Sequence, residues 1–312
     1  MKVAVIGSGG VGGYFGGRLA QAGNDVTFVA RGKHLEAIKT NGLHVKSIKG
    51  DFSVRPAKAT DDPSKIGAVD LVLCCVKSWQ VAEVAGEIRH LVGPEAVIIT
   101  VQNGVEAHTT LSKTIDSKHI LPGVCRIISM MEAPGRIRHL AVDPYLAFGE
   151  MDGKMSSRAE NLAGMFNQSP GLTVQASRNI LQALWQKFML IAPWGGVGAL
   201  TRAPIGVIRS MPETREMLQT SIREVFSVAR ASGINIEEKS IAAAMGFIDQ
   251  LAPEATSSMQ RDIMEGRKSE LNEQCGAVVR FGERGGVQTP VSRFIYHSLL
   301  PLERKARGEI TF

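Results

Sequence analysis

Short apolar runs alternate with segments of helical periodicity along the first half of the chain. This alternation is typical of strands joined by crossover helices, which form a mainly parallel sheet. Gly, Pro and Asp separate the later runs, so we expect the sheet to finish in a less regular, partly antiparallel edge. The predicted strands are Lys2–Ile6, Asp25–Ala30, Val69–Val76, Ala96–Val101, Ile120–Ile128, Ile137–Leu140, Tyr145–Phe148 and Leu172–Ala176, and the predicted helices among them are Val11–Ala22 and Gln80–Leu91.

The pattern changes after about Ser177, where helical spacing replaces the strand signals. Pro and Gly punctuate this second half at the expected helix boundaries. The predicted helices are 179–192, 213–232, 237–251, 257–284 with an interruption, and 290–307.

A glycine-rich turn after the first predicted strand indicates a dinucleotide site. Gly7 allows the tight turn, Gly9 lets the backbone approach phosphates, and Gly12 lets the next helix pack on its strand. The alternative is a glycine-rich turn without a ligand. We therefore predict an α/β fold, with an N-terminal Rossmann-type dinucleotide-binding domain over residues 1–177 and an all-α C-terminal domain over residues 178–312. The turn residues predicted to bind the cofactor are Gly7, Ser8, Gly9, Gly10, Val11 and Gly12.

The residue after the second predicted strand indicates which dinucleotide is bound. Enzymes that prefer NAD usually carry Asp or Glu there, for the ribose 2′-hydroxyl. This chain carries Arg31, and the next carboxylate is Glu36. A guanidinium suits a 2′-phosphate, so the predicted cofactor is NADP (NADPH). The alternative is that Arg31 and Lys33 lie on a solvated loop.

Composition narrows the class of protein. A length of 312 residues suits two domains of about 150 each, and 44% hydrophobic with 21% charged residues is typical of globular proteins. The net charge of +6 is dispersed and aromatics are only 5%, so nucleic acid is not an expected partner.

No apolar run is long enough for a membrane span and no signal peptide is evident, so we expect a cytoplasmic protein. The four cysteines form no C-x-x-C pair, which favours reduced core residues over a metal site or disulfides.

Polar residues follow two of the central strands. Lys77 follows Val69–Val76, and Asn103, within Gln102-Asn103-Gly104, follows Ala96–Val101. Ligands of open α/β sheets bind outside the carboxyl ends of the strands, so both are expected near the ribose and nicotinamide. The alternatives are a surface lysine and an ordinary Asn-Gly turn.

The second half holds further candidates. Lys187 lies beside the apolar stripe of the helix 179–192, where it either extends to the rim or points into a cleft between domains. Ser258 and Glu270 would be about 18 Å apart on one straight helix. A break at Gly266 and a new helix near Ser269 would let Glu270 approach Ser258. Without that break both are ordinary surface residues.

Together these blocks resemble the ketopantoate reductase (2-dehydropantoate 2-reductase) family over the whole chain. The similarity covers VAVIGSGGVGGYFGGRLAQAG near the N-terminus, Arg31, VK ending at Lys77, QNG at 102–104, WQK at 185–187 and SSMQRDIMEGRKSE at 257–270. The last two blocks are much more specific than the glycines.

The resemblance implies hydride transfer from NADPH to the ketone carbon of a 2-oxo acid, which gives a 2-hydroxy acid. It implies that Lys187 is the general acid and that Glu270 binds a substrate hydroxyl and orients Lys187. Ser258 would hold the substrate carboxylate, and Asn103 would lie beside the nicotinamide and the reacting centre. The cofactor contacts outside the glycine turn would be Arg31, Lys77, Asn103 and Glu270.

One departure from the family leaves the substrate open. The family usually carries substrate-binding asparagines four and eight residues after the lysine, where this chain has Ile191 and Gly195, although Ala199-Leu200 still matches. Each lost hydrogen bond could cost about 1–3 kcal/mol if a substrate group is left unpaired. The candidates are therefore 2-dehydropantoate, a more apolar or larger 2-oxo acid or other carbonyl compound, and a non-catalytic NADP(H) sensor. Lys187 and Glu270 argue against the sensor, and the oligomeric state, a homodimer included, stays open.

Overall fold

All strands of the protein lie within residues 1–177, and one sheet contains them. A computed structural model describes every residue from Met1 to Phe312. The strands are β1 (Lys2–Ile6), β2 (Asp25–Val29), β3 (Leu43–Ser47), β4 (Phe52–Val54), β5 (Lys58–Thr60), β6 (Val69–Cys74), β7 (Val92–Thr100), β8 (Ile120–Ala133), β9 (Arg136–Phe148) and β10 (Thr173–Ala176).

The strand order confirms the predicted Rossmann-type sheet. Neighbouring strands run parallel in the order β5-β2-β1-β6-β7-β8, so the chain reverses its direction of travel beside β1 and β6. Beyond β8 the sheet continues through an antiparallel β8–β9 pair, to which β3, β4 and β10 are added. The partly antiparallel end of the sheet was therefore predicted correctly. Dinucleotides bind at the carboxyl ends of strands where such a reversal occurs.

Helices cover both faces of the sheet. This is required because successive apolar side chains of β1 point to opposite faces. Val3 and Val5 face a core that includes α1 and α5, whereas Ala4 and Ile6 face a second core that includes α3. The helices are α1 (Gly10–Gln21), α2 (Gly32–Asn41), α3 (Val81–Ile88), α4 (Ala107–Leu111), α5 (Ser157–Asn167), α6 (Ile180–Thr201), α7 (Ile205–Ser210), α8 (Pro212–Ala231), α9 (Lys239–Gln250), α10 (Ser258–Met264), α11 (Cys275–Gly285) and α12 (Pro290–Arg307).

The chain forms two compact units. The first comprises residues 1–102 and 106–180, and the second comprises residues 103–105 and 181–312. The second unit contains only helices and turns, as predicted for the C-terminal half. None of the helices has the length and apolar composition that a bilayer crossing requires.

Helix α6 is longer than predicted because its packing overrides its breaker residues. The pattern predicted an end at residue 192, but the helix continues through Pro193 to Thr201. A Cβ on Gly196 would lie 2.8 Å from the Sγ of Cys275, and one on Gly198 would lie 2.4 Å from the Oε1 of Gln260. These glycines let neighbouring helices approach the backbone, so they belong inside the helix.

The segment 257–284 is interrupted where expected, but it resumes later than expected. Gly266 has φ +68° and follows the end of α10, which confirms the break. The next helix begins at Cys275, so the prediction of a new helix near Ser269 was wrong, and Glu270 lies between the two helices. The amide and hydroxyl of Ser269 bind Glu303 of α12 instead.

Candidate active site

The glycine turn leaves open space beside the N-terminus of α1. Gly7 has φ +92°, and a Cβ there would lie 2.9 Å from the amide nitrogen of Val76. A Cβ on Gly12 would lie 2.1 Å from the carbonyl oxygen of Gly7, so the fold itself requires both glycines. No atom lies within 4 Å of the Cβ position of Gly9. Packing does not explain Gly9, whereas the approach of a phosphate to the helix N-terminus does.

Other residues of the turn face the protein. Ser8 is 2% exposed, and both its amide and its hydroxyl donate to the carbonyl oxygen of Val29, at 3.2 and 2.9 Å. A Cβ on Gly10 would lie 2.5 Å from the carbonyl oxygen of Ser129 in β8. Ser8 and Gly10 therefore have structural reasons for their identity.

Arg31 lies at the carboxyl end of β2, as expected, but the residues after it form α2. Arg31 and Lys33 are both exposed to solvent, but Lys33 lies in a helix and not in a loop. The Arg31 side chain is 61% exposed, and its Nη2 lies 3.6 Å from the Oε1 of Glu87. Exposed ion pairs are worth about 0–1 kcal/mol, so Glu87 competes only weakly with an anion for the guanidinium.

The ends of β6 and β7 are tied together by Gln102. This side chain is 6% exposed, and its Nε2 donates to the carbonyl oxygens of Cys74 and Val76, at 2.8 and 3.1 Å. Its Oε1 is buried without a hydrogen-bond partner. Lys77 follows directly and is exposed at this edge of the sheet. The sequence placed Gln102 within a motif but did not reveal its role, because its partners lie on another strand.

Asn103 and Glu270 are brought together although they are 167 residues apart in the chain. Both belong to the second compact unit, and the Nδ2 of Asn103 donates to the Oε2 of Glu270 at 3.2 Å. The Nε2 of Gln274 donates to the same oxygen at 3.3 Å, and Glu270 is 3% exposed. Asn103 is therefore more than a turn residue, since its amide helps to fix a buried carboxylate.

A second buried carboxylate holds the residue before Glu270. Glu303 is 2% exposed and accepts hydrogen bonds from the amide of Ser269, at 3.1 and 3.2 Å, and from its hydroxyl at 2.5 Å. Arg307 balances the charge of Glu303, with Nη2 to Oε1 at 2.7 Å. Sequence reasoning missed Glu303, because nothing local links it to a residue 34 positions away.

Lys187 and Ser258 occupy different settings in the second unit. Lys187 is half-buried on α6, next to Phe188, which is fully buried. Ser258 is exposed in the first turn of α10, where Ser257 is the capping residue. No hydrogen bond joins Ser258 to Glu270, and a shared site for these two residues stays a prediction.

The positions that depart from the family differ in the space around them. Ile191 is half-buried on α6, one helical turn after Lys187. A Cβ on Gly195 would lie 2.8 Å from the Cε of Met259 and 3.2 Å from the Oγ of Ser257. Position 195 is therefore a close helix contact, and any side chain there requires Met259 to move.

Burial is the main cause of the shifted pKa values of the buried thiols. Burial raises the pKa of Cys74 to about 11 and that of Cys275 to about 12. All four cysteines are free thiols, as predicted. Because the thiolate is the reactive form, the raised pKa values lower the reactivity of Cys74 and Cys275 at neutral pH. Burial also raises the pKa of Glu273, whose Oε2 has no hydrogen-bond partner.

Known proteins resemble this chain over almost its whole length. Residues 3–153 match the family model described as ketopantoate reductase PanE/ApbA, and residues 179–303 match the model of its C-terminal part. The chain is 30% identical to an uncharacterised oxidoreductase, YkpB, of Bacillus subtilis, over 96% of this chain and 98% of the relative.

Solved structures show the same fold. A PanE/ApbA family ketopantoate reductase from Ralstonia eutropha JMP134 is 31% identical, with a TM-score of 0.90 over 98% of this chain and all of that one (100%). A D-mandelate dehydrogenase solved with NADH and anilino(oxo)acetate is 22% identical, with a TM-score of 0.89 over 98% of this chain and 99% of that one. At that identity the likeness concerns the fold alone.

Proposed function

The chain belongs to the ketopantoate reductase family, and from that membership we propose that it reduces 2-dehydropantoate to pantoate with NADPH, a step of pantothenate biosynthesis. Members of this family are oxidoreductases that use a nicotinamide dinucleotide and a small-molecule substrate. The proposal goes beyond family membership in three respects: NADPH is the cofactor, 2-dehydropantoate is the substrate, and individual residues have stated roles. The buried carboxylate of Glu270, fixed by Asn103 and Gln274, is the observation that carries it.

The glycine turn and the strand ends provide the cofactor site of this proposal. The open space at Gly9 fits a phosphate at the N-terminus of α1, and no acidic residue in the first turn of that helix opposes it. Arg31 binds the 2′-phosphate, and Lys77 and Asn103 contact the ribose and nicotinamide side. When bound there, the reduced nicotinamide supplies the hydride for the ketone carbon.

Lys187 supplies the proton that balances the hydride. Its ammonium donates this proton to the ketone oxygen, and its charge stabilises that oxygen as negative charge develops on it. Lys187 is half-buried, and partial exclusion of water strengthens the electrostatic interactions of a charged group. Solvent returns a proton to Lys187 after the hydroxy acid has left.

Glu270 and Ser258 orient the substrate. Glu270 accepts a hydrogen bond from a substrate hydroxyl and holds Lys187 in its donating direction, while Ser258 binds the substrate carboxylate. The two amides on one oxygen of Glu270 fix the plane of its carboxylate, so its orientation does not depend on the substrate. We also propose residues 1–177 and 178–312 as the two domains and the cytoplasm as the location.

The loss of NADPH absorbance with a panel of 2-oxo acids tests this function. We expect oxidation with 2-dehydropantoate or with at least one related 2-oxo acid. NADPH binding without oxidation by any of them would favour the non-catalytic sensor instead.

The second candidate function is reduction of a more apolar 2-oxo acid, and α6 provides the observation that favours it. Ile191 has an aliphatic side chain, and Gly195 has none, with the terminal methyl of Met259 close to its Cβ position. Neither position can therefore bind a hydroxyl at the far end of the substrate. The substrate panel should include branched and aromatic 2-oxo acids for this reason.

Replacing Ile191 by Asn is expected to raise kcat/KM for 2-dehydropantoate about tenfold, because a restored hydrogen bond is worth about 1–2 kcal/mol. Steady-state kinetics of NADPH oxidation measure this change. The matched control is 3,3-dimethyl-2-oxobutanoate, which lacks only the terminal hydroxyl and should gain nothing. An equal gain for both acids would contradict the assignment of Ile191 to this part of the pocket. Gly195→Asn alone is expected to lower the thermal stability only modestly, because its Cβ meets the terminal methyl of Met259, which can move.

A further inference from the structure

We infer that His34 is a positioning residue for the cofactor site, because its ring fixes the peptide group between Ser8 and Gly9. The inference relies on the proposed function in placing the dinucleotide at the glycine turn. The ring itself need not contact the cofactor. It determines instead the direction in which the turn presents a backbone amide.

Both nitrogens of the His34 ring are engaged by backbone groups. The Nε2 lies 2.8 Å from the carbonyl oxygen of Ser8, and the amide of Gly135 donates to the Nδ1 at 2.9 Å. A carbonyl only accepts and a backbone amide only donates, so the ring is neutral and carries its proton on Nε2. His34 therefore links the glycine turn, helix α2 and the turn between β8 and β9.

The bond to the Ser8 carbonyl sets the direction of the next amide. The Ser8–Gly9 peptide is trans, since the one cis peptide of the chain is Arg55–Pro56. In a planar trans peptide the carbonyl and the amide point in opposite directions. The N–H of Gly9 therefore points away from the His34 ring. Because the space around Gly9 is open, this amide can donate to a phosphate at the start of α1.

The turn needs such support because its glycines do not restrict it. Gly7, Gly9 and Gly10 carry no Cβ and leave the free chain many backbone conformations. The amide and hydroxyl of Ser8 are already held by Val29, so the carbonyl is the remaining polar group of Ser8. His34 holds that carbonyl, and fixing it before the cofactor arrives removes an ordering cost from binding.

The other side of the ring is also held in place. The carbonyl oxygen of Gly135 accepts from the amide of His44 at 2.9 Å, and a Cβ on Gly135 would lie 3.0 Å from the Cβ of Ala37. The β8–β9 turn therefore packs on α2, and its amide orients the ring from behind. This explains how one side chain can hold a loop on a different element.

Three substitutions separate the two bonds of the ring. His34→Gln keeps a donor that can reach the Ser8 carbonyl, His34→Asn keeps only an acceptor for Gly135, and His34→Ala keeps neither. We expect the dissociation constant of NADPH to rise about tenfold in His34→Ala and His34→Asn, since a buried hydrogen bond is worth about 1–1.5 kcal/mol. We expect His34→Gln to bind NADPH like the unmodified protein. His90→Ala is the matched control, because its ring binds the carbonyl oxygen of Pro63, outside this network, and its loss should leave affinity unchanged.

The measurements are NADPH affinity, kcat at saturating NADPH, and amide hydrogen exchange of the turn in the nucleotide-free protein. We expect faster exchange in the Ala and Asn variants only, and similar kcat in all variants. Affinity that is restored by Asn but not by Gln, or unchanged in His34→Ala, overturns the inference. An equal loss in all three variants together with a lower Tm would show a purely structural role. If the exchange pattern holds but the unmodified protein binds no NADPH, the proposed function fails while the role of His34 in ordering the turn stands.

Discussion

Lys187→Ala is expected to lower kcat several hundred-fold or more, which is within the range for loss of a general acid. The KM for NADPH should change little, because the proposed contacts of the cofactor lie elsewhere. The effect has two causes, since the variant loses both the proton donor and the charge that stabilises the developing alkoxide. Steady-state and single-turnover oxidation of NADPH would measure it.

Two controls identify the cause of that loss. Lys239→Ala removes an exposed lysine of the same unit, paired with Glu237 on the surface, and should leave kcat unchanged. Added small primary amines should restore part of the activity of Lys187→Ala, because they can enter the vacated space and donate a proton. An unchanged kcat in Lys187→Ala would remove the proposed role of this residue.

Arg31→Ala is expected to weaken NADPH binding about 10- to 100-fold, because a charge-assisted hydrogen bond to phosphate is worth about 1.5–3 kcal/mol. NADH lacks the 2′-phosphate, so its affinity should change less than about twofold. Titration of the protein with each nucleotide gives both constants. The NADPH effect should also shrink as salt concentration rises, since the Arg31 side chain is exposed.

Glu87→Gln provides the control for Arg31. Removing the weak ion pair at 3.6 Å should strengthen NADPH binding slightly and leave NADH unaffected. Equal weakening of both nucleotides by Arg31→Ala would contradict the assignment to the 2′-phosphate. In that case Arg31 would contact a group that is present in both NADH and NADPH.

The first βαβ unit could be predicted from the sequence almost to the residue because its signals are local. The apolar run of β1, the glycines and the apolar strand β2 lie within a short stretch. Each of these signals therefore restricts where the next element can begin. Helix α2 was not predicted, because only Leu35 and Ile38 of its residues are buried and two residues form too short a stripe to recognise. The same reasoning explains why short strands such as β4 and β5 were missed.

The candidate site was predictable where residue type alone suggests chemistry, and not where it depends on distant contacts. Gly9 and Arg31 occupy the positions that the strand and turn pattern indicated. The bond between Asn103 and Glu270, the support of Ser269 by Glu303 and the two bonds of His34 depend on long-range folding. One sequence carries no signal for such pairs, and their roles in catalysis stay predictions.

The contact between Gly195 and Met259 restricts the order in which this protein could change its specificity. An Asn at position 195 would displace the terminal methyl of Met259, so its effect depends on how the Met259 side chain repacks. Replacing Met259 first by a smaller residue would leave a cavity in a buried helix contact, which lowers the stability of the fold. The effects of substitutions at Gly195 and Met259 are therefore expected to be non-additive, which a double-mutant cycle would measure.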